Sequence, residues 1–457
     1  MITFKRLGLE ERGAVLLVAT GLLVIVAFLA GGASREHALR LAIVELAALP
    51  VLVLAAGRFI DAEVRAGHRF ALTLLALAVA LPLLQLIPLP PALWTALPGR
   101  GDLTLSLTLS DLPLPWLPIT VTPDRTWRSF LALIPPSAMF LAVLSLPQTM
   151  QRRLIWLIII CTVASLILGI AQLTSRTQQW YPWTTTAAGN LVGCFANRNH
   201  MATLLLVGLP FSTILGATAL RNPDARSRTI GLTACLFLVL AILALGAVRS
   251  RAGIILLAPC LSLSLLAGWM AGGRRRPSLS LLAYGGVCLL AVVLLATLGL
   301  GPVLERFDRN GVPEGRFENW PYVLRAASAY LPTGAGLGSF DTVFRSMEPL
   351  EKLNATFFNQ AHNEYLETWL EAGWLGVGLI LAFLGYWLKR SWQCWRETSS
   401  PSADLQRAAS IAICVVLAHS AVDYPLRTEL MAVVFAAFVA ILEGANRSKI
   451  SGPQLGG

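Results

Sequence analysis

Charged side chains are scarce in this chain of 457 residues. Asp, Glu, Lys and Arg together make up 13% of it, against the ~25% that is usual for soluble globular domains. Hydrophobic residues reach 56% and the mean hydropathy is +0.67. This balance excludes a soluble enzyme, a disordered chain and a coiled coil, and it indicates a polytopic membrane protein.

Cysteine pairs and several well-known catalytic motifs are also missing. The seven Cys residues form no Cys-x-x-Cys, and five lie inside apolar runs, so we predict apolar fillers rather than a disulfide scaffold or zinc ligands. The sequence has no His-Glu-x-x-His, no Asp-x-Asp and no Gly-x-Ser-x-Gly. We therefore predict neither a metal site nor a cofactor.

Long apolar runs dominate what is present. A spanning helix needs about 20 apolar residues. Twelve runs are candidates: 13–31, 38–56, 70–89, 129–147, 154–173, 200–219, 230–247, 253–271, 279–300, 364–388, 407–424 and 428–444. A single helix over 230–271 would be roughly 63 Å long, twice the hydrocarbon thickness, so this stretch must fold back at Arg249-Ser250-Arg251. We predict an all-α protein with about twelve transmembrane helices in a single transmembrane domain, 1–457.

Basic residues set the predicted orientation. The net charge is +11, and nucleic-acid binding is one explanation; membrane topology is the other, because basic loops stay in the cytoplasm. With the N-terminus inside, 20 basic residues fall on the inner side and 16 on the outer side, six of these in one long loop. Long loops cross largely regardless of charge. Both termini are therefore predicted to be cytoplasmic, with no nucleic-acid partner.

Two outer segments are long. Residues 90–128 are rich in Pro, Leu and Trp, and their amphipathic character predicts a segment at the membrane interface. Residues 301–363, between the ninth and tenth spans, hold most of the polar residues that could do chemistry, and their charges nearly balance. The glycine-rich stretch 334–338 precedes no Gly-Lys-Ser/Thr, so we predict a tight turn rather than a nucleotide loop.

Arginines at a membrane span need a reason, because an Arg at the bilayer centre costs about 2.5–3.5 kcal/mol on insertion scales. Arg249 and Arg251 occupy a short outer turn. They either snorkel to the headgroups or grip a diphosphate through bidentate contacts. The positive-inside bias disfavours two arginines in so short an outer turn, which favours the diphosphate.

A polar segment opens the sixth span. Asn197 or Asn199 either caps the helix or joins Arg198 in an anion site at the helix N-terminus. The sequence leaves both explanations open.

His362-Asn363-Glu364 ends the long loop and begins the tenth span. His362 is either an interface residue or a general base; it faces the same side as the outer arginines, and histidine titrates near neutral pH, which favours the base. Glu364, Glu367 and Glu371 follow at helical spacing and predict an acidic stripe on one face. Glu371 would lie about 10 Å into the helix, an expensive place for a charge without a partner.

His419 and Asp423 are spaced i, i+4 near the outer end of the eleventh span. They can share a helix face and form a hydrogen bond. A structural pair inside the bundle is slightly favoured over a functional one.

The order of these elements resembles the O-antigen ligase and O-antigen polymerase superfamily of bacterial inner-membrane glycosyltransferases. The resemblance covers about residues 190–390. Its elements are Gly193-x-Phe-x-Asn197-x-Asn199, Ser250-Arg251, Gly315-Arg316 with Trp320, Pro332-x-Gly334-x-Gly336, and His362-Asn363-x-Tyr365-Leu366 followed by Glu371-x-Gly373. The closing His419-x-x-x-Asp423-Tyr424-Pro425 resembles the exopolysaccharide-polymerase-like branch.

The resemblance implies a metal-independent, inverting transfer of a glycan from undecaprenyl diphosphate on the periplasmic side of the bacterial inner membrane. The acceptor is lipid A–core for a ligase or a lipid-linked repeat for a polymerase. By match, Arg251 holds the diphosphate, with Arg249 and Arg316 as further cations, and His362 acts on the acceptor hydroxyl. Asn197, Arg198, Asn199, Asn363, Glu364 and Glu367 are expected near the substrate, and Glu371, His419 and Asp423 behind them.

Two other classes of protein share the span count. A transporter or flippase of lipid-linked oligosaccharides would place polar residues at mid-membrane and show inverted repeats, whereas here the candidate residues cluster at the outer rim. A non-catalytic assembly subunit would tolerate the loss of both Arg251 and His362.

Overall fold

The computed structural model describes residues 9–33, 37–60, 62–174, 178–183, 189–219, 224–271, 279–299, 315–349, 351 and 358–444. The all-α prediction is confirmed for this part of the chain. Its one β-pairing there joins β1 (Pro88–Leu89) to β2 (Leu117–Pro118) in antiparallel register.

The α-helices are numbered in chain order. They are α1 Leu9–Ala30, α2 Ala38–Ala56, α3 Ala62–Gly67, α4 Arg69–Gln85, α5 Pro91–Trp94, α6 Gly101–Leu109, α7 Pro123–Leu131, α8 Ile134–Ser145, α9 Gln148–Thr174, α10 Arg198–Ala219, α11 Ala225–Val248, α12 Arg251–Met270, α13 Leu279–Leu294, α14 Gly315–Ala329, α15 Phe340–Met347, α16 Glu364–Arg396, α17 Pro401–Ser420 and α18 Glu429–Glu443. Single turns of 3-10 helix occupy Gly57–Ile60, Gln178–Trp180 and Pro425–Arg427, and a π turn occupies Leu295–Gly299.

Nine helical segments within the described ranges are long and apolar enough to cross a membrane. They are Glu11–Ala30, Ala38–Ile60, Pro123–Ser145, Gln148–Thr174, Arg198–Ala219, Ala225–Val248, Arg251–Met270, Glu364–Arg396 and Pro401–Ser420. The protein is therefore a multi-pass membrane protein. Two shorter apolar helices and α18 coincide with the other predicted runs, and the count of twelve spans stays a prediction. The predicted fold-back is confirmed, since α11 ends at Val248 and α12 begins at Arg251.

Helix α10 forms the centre of the bundle. Twenty of its 22 residues are buried, and α11, α12 and α17 pack around it. Small residues permit this, because helices in a membrane associate through close packing rather than through the hydrophobic effect. At Gly208 the backbone of α10 approaches the ring of Phe237 so closely that an added Cβ would lie 2.6 Å from that ring.

We expect Gly208→Val to destabilise the bundle by about 1–3 kcal/mol, because overpacking forces the α10–α11 contact apart. The melting temperature in detergent measures this. Gly286→Val is the matched control, since an added Cβ at Gly286 in α13 meets nothing within 4 Å. Equal melting temperatures for the two variants would contradict a tight α10–α11 contact.

The two ends of the bundle are joined by different polar contacts. At the end that carries His362 (the His362 end), Leu430 N–H donates to the Gly31 carbonyl at 3.0 Å and Ala196 N–H donates to the Gly32 carbonyl at 3.1 Å. At the end that carries Arg152 (the Arg152 end), His68 Nδ1 lies 3.0 Å from Glu443 Oε1. The candidate residues of the sequence therefore belong to one end.

The two long segments pack against each other at the His362 end. Val121 N–H donates to the Ala335 carbonyl at 2.8 Å, and Thr126 Oγ1 donates to the Leu337 carbonyl at 2.7 Å. A second small core joins α14, α15 and the start of α16. The interfacial position of 90–128 and the side of the membrane that 301–363 occupies stay predictions, and residues 301–314, 350 and 352–357 lie outside the described part.

Candidate functional site

His362 lies in a left-handed backbone conformation with φ 50°, which costs a residue with a side chain of order 1 kcal/mol or more. The preceding peptide is held from both sides. Ala361 N–H donates to Glu367 Oε2 at 2.9 Å, and the Ala361 carbonyl accepts from Trp320 Nε1 at 3.1 Å. These contacts therefore hold the backbone from which the imidazole projects.

Asn363 caps α16. Its Oδ1 accepts hydrogen bonds from the backbone N–H groups of Tyr365 at 3.0 Å and Leu366 at 3.1 Å. This side chain satisfies the free N–H groups of the first helical turn. The two adjacent residues thus have different roles, since His362 presents its imidazole and Asn363 caps the N-terminus of α16.

A buried carboxylate faces His362. Asp423 Oδ1 lies 3.6 Å from His362 Nδ1, and the two side chains are 1% and 16% exposed. The same carboxylate accepts from Tyr424 N–H at 2.9 Å, from Asn197 Nδ2 at 3.4 Å and from Asn199 Nδ2. These donors offset the cost of burying a carboxylate.

A second histidine shares Asp423. His200 Nε2 lies 3.7 Å from Asp423 Oδ1, and the ring of Tyr424 packs edge-on against both His200 and His362, at centroid distances of 5.0 and 4.9 Å. We call Asn197, Asn199, His200, His362, Asp423 and Tyr424 the Asp423 cluster. His200 had no predicted role, although its place beside Asn199 was a signal.

The segment before α10 brings the two asparagines to this cluster. Asn197 is the helix cap, since its Oδ1 accepts from Asn199 N–H at 2.9 Å. Gly193 has φ 60°, and an added Cβ there would lie 2.3 Å from Ser165 Oγ, so the turn requires glycine. Arg198 donates to Asn190 Oδ1 at 3.0 Å. The cap explanation is confirmed for Asn197, and the anion site that includes Arg198 stays a prediction.

The acidic stripe on α16 is buried and its partner is Arg427. The guanidinium lies 3.3 Å from Glu367 Oε1 and 2.9 Å from Glu371 Oε2, and both carboxylates are 0% exposed. Burial lowers the pKa of Arg427, but the neighbouring glutamates, Glu367 and Glu371 foremost, outweigh burial and raise it. The stripe therefore forms a charged network under the His362 turn.

Sequence reasoning missed Arg427. The residue lies in the 3-10 turn Pro425–Arg427, between two spans and 56 residues after Glu371 in the chain. The signal was present, because Glu371 needed a cation at its depth, but the sequence alone did not say which of the basic residues on the outer side supplies it.

Glu371 also holds the glycine-rich turn. Its Oε1 accepts from Gly338 N–H at 2.8 Å and its carbonyl accepts from Gly336 N–H at 2.8 Å. Gln85 of α4 completes this clamp, donating to the Glu371 carbonyl at 2.9 Å and accepting from Leu337 N–H at 2.9 Å. The predicted tight turn is confirmed, with positive φ at Gly334, Gly336 and Gly338.

Glu364 marks the end of an apolar groove of about 350 Å³ between α4, α8, α16, α17 and α18. Its carboxylate accepts from Ser420 Oγ at 2.5 Å and from Leu426 N–H at 2.7 Å. Most of the groove wall is aliphatic or aromatic, including Leu74, Leu379 and Phe383. The groove therefore runs through the depth of the bundle and ends two residues from His362.

Arg249 and Arg251 flank the turn between α11 and α12 at the same end. Ser250 caps α12, accepting from Gly253 N–H at 3.2 Å, and Arg249 has φ 55°. An added Cβ at Gly253 would lie 2.8 Å from Ala202 in the first turns of α10. The arginine turn therefore adjoins the helix that carries Asn199 and His200.

Two further predicted residues have other surroundings. His419 Nδ1 lies 2.7 Å from Thr203 Oγ1. Helix α17 ends at Ser420, so Asp423 stands beyond it and the predicted span to 424 was too long. Arg316 belongs to α14, and its side chain lies outside the described part of the chain.

The cluster has the arrangement of an acid–base site. A carboxylate that faces an imidazole can stabilise the imidazolium that forms when the ring takes a proton. Within the described residues, no group of three or more His, Cys, Asp or Glu side chains is placed to hold a metal ion. All seven cysteines are free thiols, as predicted.

Residues 236–381 match a protein-family model described as O-antigen ligase. The matched region contains the arginine turn, the glycine-rich turn, His362 and the acidic stripe. This confirms the resemblance to the O-antigen ligase and polymerase superfamily over about a third of the 457 residues. No curated protein matches the chain.

Proposed function

We propose that this chain, an O-antigen ligase-like membrane glycosyltransferase, moves a glycan from undecaprenyl diphosphate to an acceptor hydroxyl on the periplasmic side of the bacterial inner membrane. The reaction is metal-independent and inverts the anomeric centre. The acceptor is lipid A–core or a second lipid-linked repeat. Both termini are cytoplasmic, and the segments 90–128 and 301–363 border the site.

One observation carries the proposal: His362 Nδ1 lies 3.6 Å from the buried Asp423 carboxylate, at the end of an apolar groove. This geometry supports a role for His362 as general base at the point where a lipid-linked substrate would end. A transporter of lipid-linked substrates would place such a pair near mid-membrane, and the position of this pair at one end of the bundle favours an enzyme over that alternative.

The reaction balances with the residues present. The acceptor oxygen attacks the anomeric carbon, the bond from that carbon to the diphosphate oxygen breaks, and the electron pair leaves with undecaprenyl diphosphate. His362 takes the hydroxyl proton, and Asp423 stabilises the imidazolium. A single displacement of this kind inverts the anomeric centre.

The leaving diphosphate gains charge as the bond breaks. Arg251, with Arg249 and Arg316, supplies guanidinium groups that match phosphate geometry bidentately. Fixed cations in a partly dry site stabilise developing charge at no reorganisation cost. The neighbourhood of α10 and the arginine turn supports this role, because Gly253 packs close to Ala202, one turn from Asn199.

The apolar groove suits the polyprenyl chain of the donor. Its lining on α16 comes from both sides of the helix break at Gly373 (φ 54°), with Glu364 before the break and Phe383 and Tyr386 after it. Leu77 and Leu381, on two of the groove helices, are 50% and 62% exposed and face lipid. A chain in the groove would present its diphosphate beside His362.

We expect Arg251→Ala to weaken the binding of undecaprenyl diphosphate by about tenfold or more and to lower transfer by ~10²-fold, because an ionised donor to the leaving group is lost. Binding to the purified protein and steady-state kinetics measure the two effects. Arg251→Lys should recover part of the binding, since it keeps the charge but not the fork.

Arg69→Ala is the control, an exposed arginine at the Arg152 end. It should leave both quantities unchanged. Normal donor binding by Arg251→Ala would exclude the diphosphate role.

The proposed activity is tested with purified protein in detergent. A transferase is supported if the protein consumes undecaprenyl-diphosphate glycan when only acceptor is added. If the protein instead moves intact donor across vesicle membranes without consuming it, the proposed activity is overturned. A gel of surface polysaccharide from a deletion strain then separates the acceptors. Long unattached chains indicate a ligase, and single repeats on core indicate a polymerase.

A further inference from the structure

A polar recess opens at the Arg152 end, far from the Asp423 cluster. It has a volume of about 690 Å³ and lies between the start of α9, the end of α10 and the start of α11. Its lining includes the basic residues Arg152, Arg153 and Arg226 and the hydroxyl residues Thr149, Thr218 and Ser227. We call it the Arg152 recess.

The recess is built for negative charge. Among the described residues, three that line the recess are arginines and none is Asp or Glu. Arg152 Nε is buried and has no hydrogen-bond partner among the described residues, while its Nη2 reaches the Pro401 carbonyl at 3.4 Å. The nearby Asp224 is used as the cap of α11, accepting from Ser227 N–H at 2.8 Å.

The recess continues into surface that faces lipid. Trp156 follows Arg152 by one helical turn, and Ile160, one turn further along α9, is 61% exposed. On α11, Leu236 follows Thr233 and is 59% exposed. The arginines at the starts of α9 and α11 therefore lie next to exposed apolar residues, Ile160 on α9 and Leu236 on α11. A phospholipid requires this arrangement, with cations for its headgroup and apolar surface for its acyl chains.

We propose that the Arg152 recess binds the phosphodiester headgroup of an anionic membrane phospholipid, whose acyl chains lie along Ile160 and Leu236. Arginine matches phosphate oxygens bidentately, and basic pockets between helices on the cytoplasmic side suit such headgroups. The hydroxyls of Thr149, Thr218 and Ser227 add neutral donors. A free anion would use the arginines but not the apolar residues.

The recess is separate from the proposed glycosyl-transfer site. Helix α10 carries His200 of the Asp423 cluster and Thr218 of the recess, and 18 residues at 1.5 Å per residue place the two about 27 Å apart along the helix. The inference therefore does not depend on the proposed function. The bound lipid would join the ends of α9, α10 and α11, and it would stabilise the folded state by mass action.

Native mass spectrometry of the full-length protein in detergent tests this inference. Phosphatidylglycerol is titrated against phosphatidylcholine, which has the same acyl chains and no net charge. We expect the protein to retain phosphatidylglycerol at least tenfold more tightly, and Arg152→Ala/Arg153→Ala/Arg226→Ala to lose this preference. Arg65→Ala/Arg69→Ala/Arg396→Ala removes three charges at the same end outside the recess and should retain it.

Further measurements keep the test decisive. Arg153 and Arg226 are exposed, so the double variant Arg153→Ala/Arg226→Ala keeps its fold and should still weaken binding several-fold. Equal retention of both lipids, or equal losses in the recess and control variants, would overturn the proposal. Displacement of phosphatidylglycerol by millimolar inorganic phosphate, or by undecaprenyl diphosphate at equal concentration, would overturn the assignment to a phospholipid.

Discussion

His362→Ala is expected to lower glycan transfer by ~10²–10⁴-fold, the range that a positioned general base contributes. The reason is the geometry of the Asp423 cluster, in which the imidazole faces a buried carboxylate at 3.6 Å. The KM for donor should change little, because the diphosphate is held elsewhere. Steady-state transfer by purified protein measures both constants.

Asp423→Asn refines this expectation. The amide keeps the size of the side chain and an acceptor for Tyr424 N–H, which lies 2.9 Å from Asp423 Oδ1, but it loses the charge that stabilises the imidazolium. We expect a smaller fall in kcat than for His362→Ala. The double variant should be no worse than His362→Ala alone, because two residues that act as a unit are not additive.

His68→Ala is the matched control. His68 also faces a carboxylate, Glu443, but at the Arg152 end. Transfer by this variant should equal wild type once melting temperatures show that both proteins are folded. Full activity of folded His362→Ala would exclude the proposed mechanism.

Arg427→Met should lower the free energy of unfolding by about 3–5 kcal/mol, the cost of removing one partner from a buried ion pair. Methionine fills similar space without charge, and two carboxylates at 0% exposure, Glu367 and Glu371, lose their cation. The melting temperature in detergent measures the loss. Arg396→Met, which removes an arginine from the other end of α16, is the control.

Glycan transfer by Arg427→Met should also fall, through a lower kcat, because Glu367 holds the Ala361 N–H that precedes His362. Arg427 is thus a positioning residue. The variant Arg427→Met/Glu367→Gln/Glu371→Gln removes the whole charge group and should recover most of the stability. Unchanged stability of Arg427→Met would show that the glutamates are supported by other groups.

The sequence was most informative about elements whose signal is local. Hydropathy found every helix that the described part contains in the spanning length range, and helix length alone required the fold-back at Arg249–Arg251. The spacing of Glu364, Glu367 and Glu371 correctly predicted one stripe. Each of these depends on neighbours within a few turns of one helix.

Partners that are distant in the chain were not predictable in the same way. Asp423 was assigned to His419 by i, i+4 spacing, but the helix ends at Ser420, and the carboxylate meets asparagines more than 220 residues earlier. Arg427, in the 3-10 turn Pro425–Arg427, contacts Glu371 of α16, which lies 56 residues earlier in the chain. Such contacts are set by how the helices pack, which hydrophobic periodicity does not encode.

The clamp of Glu371 and Gln85 on the glycine-rich turn has a consequence for evolution and engineering. Because this turn is bonded to both α4 and α16, the segment that carries it cannot be exchanged between relatives as an independent cassette. A chimera that carries a foreign turn would have to import matching amide and carboxylate anchors from both helices. The turn is therefore inherited together with the two helices that hold it.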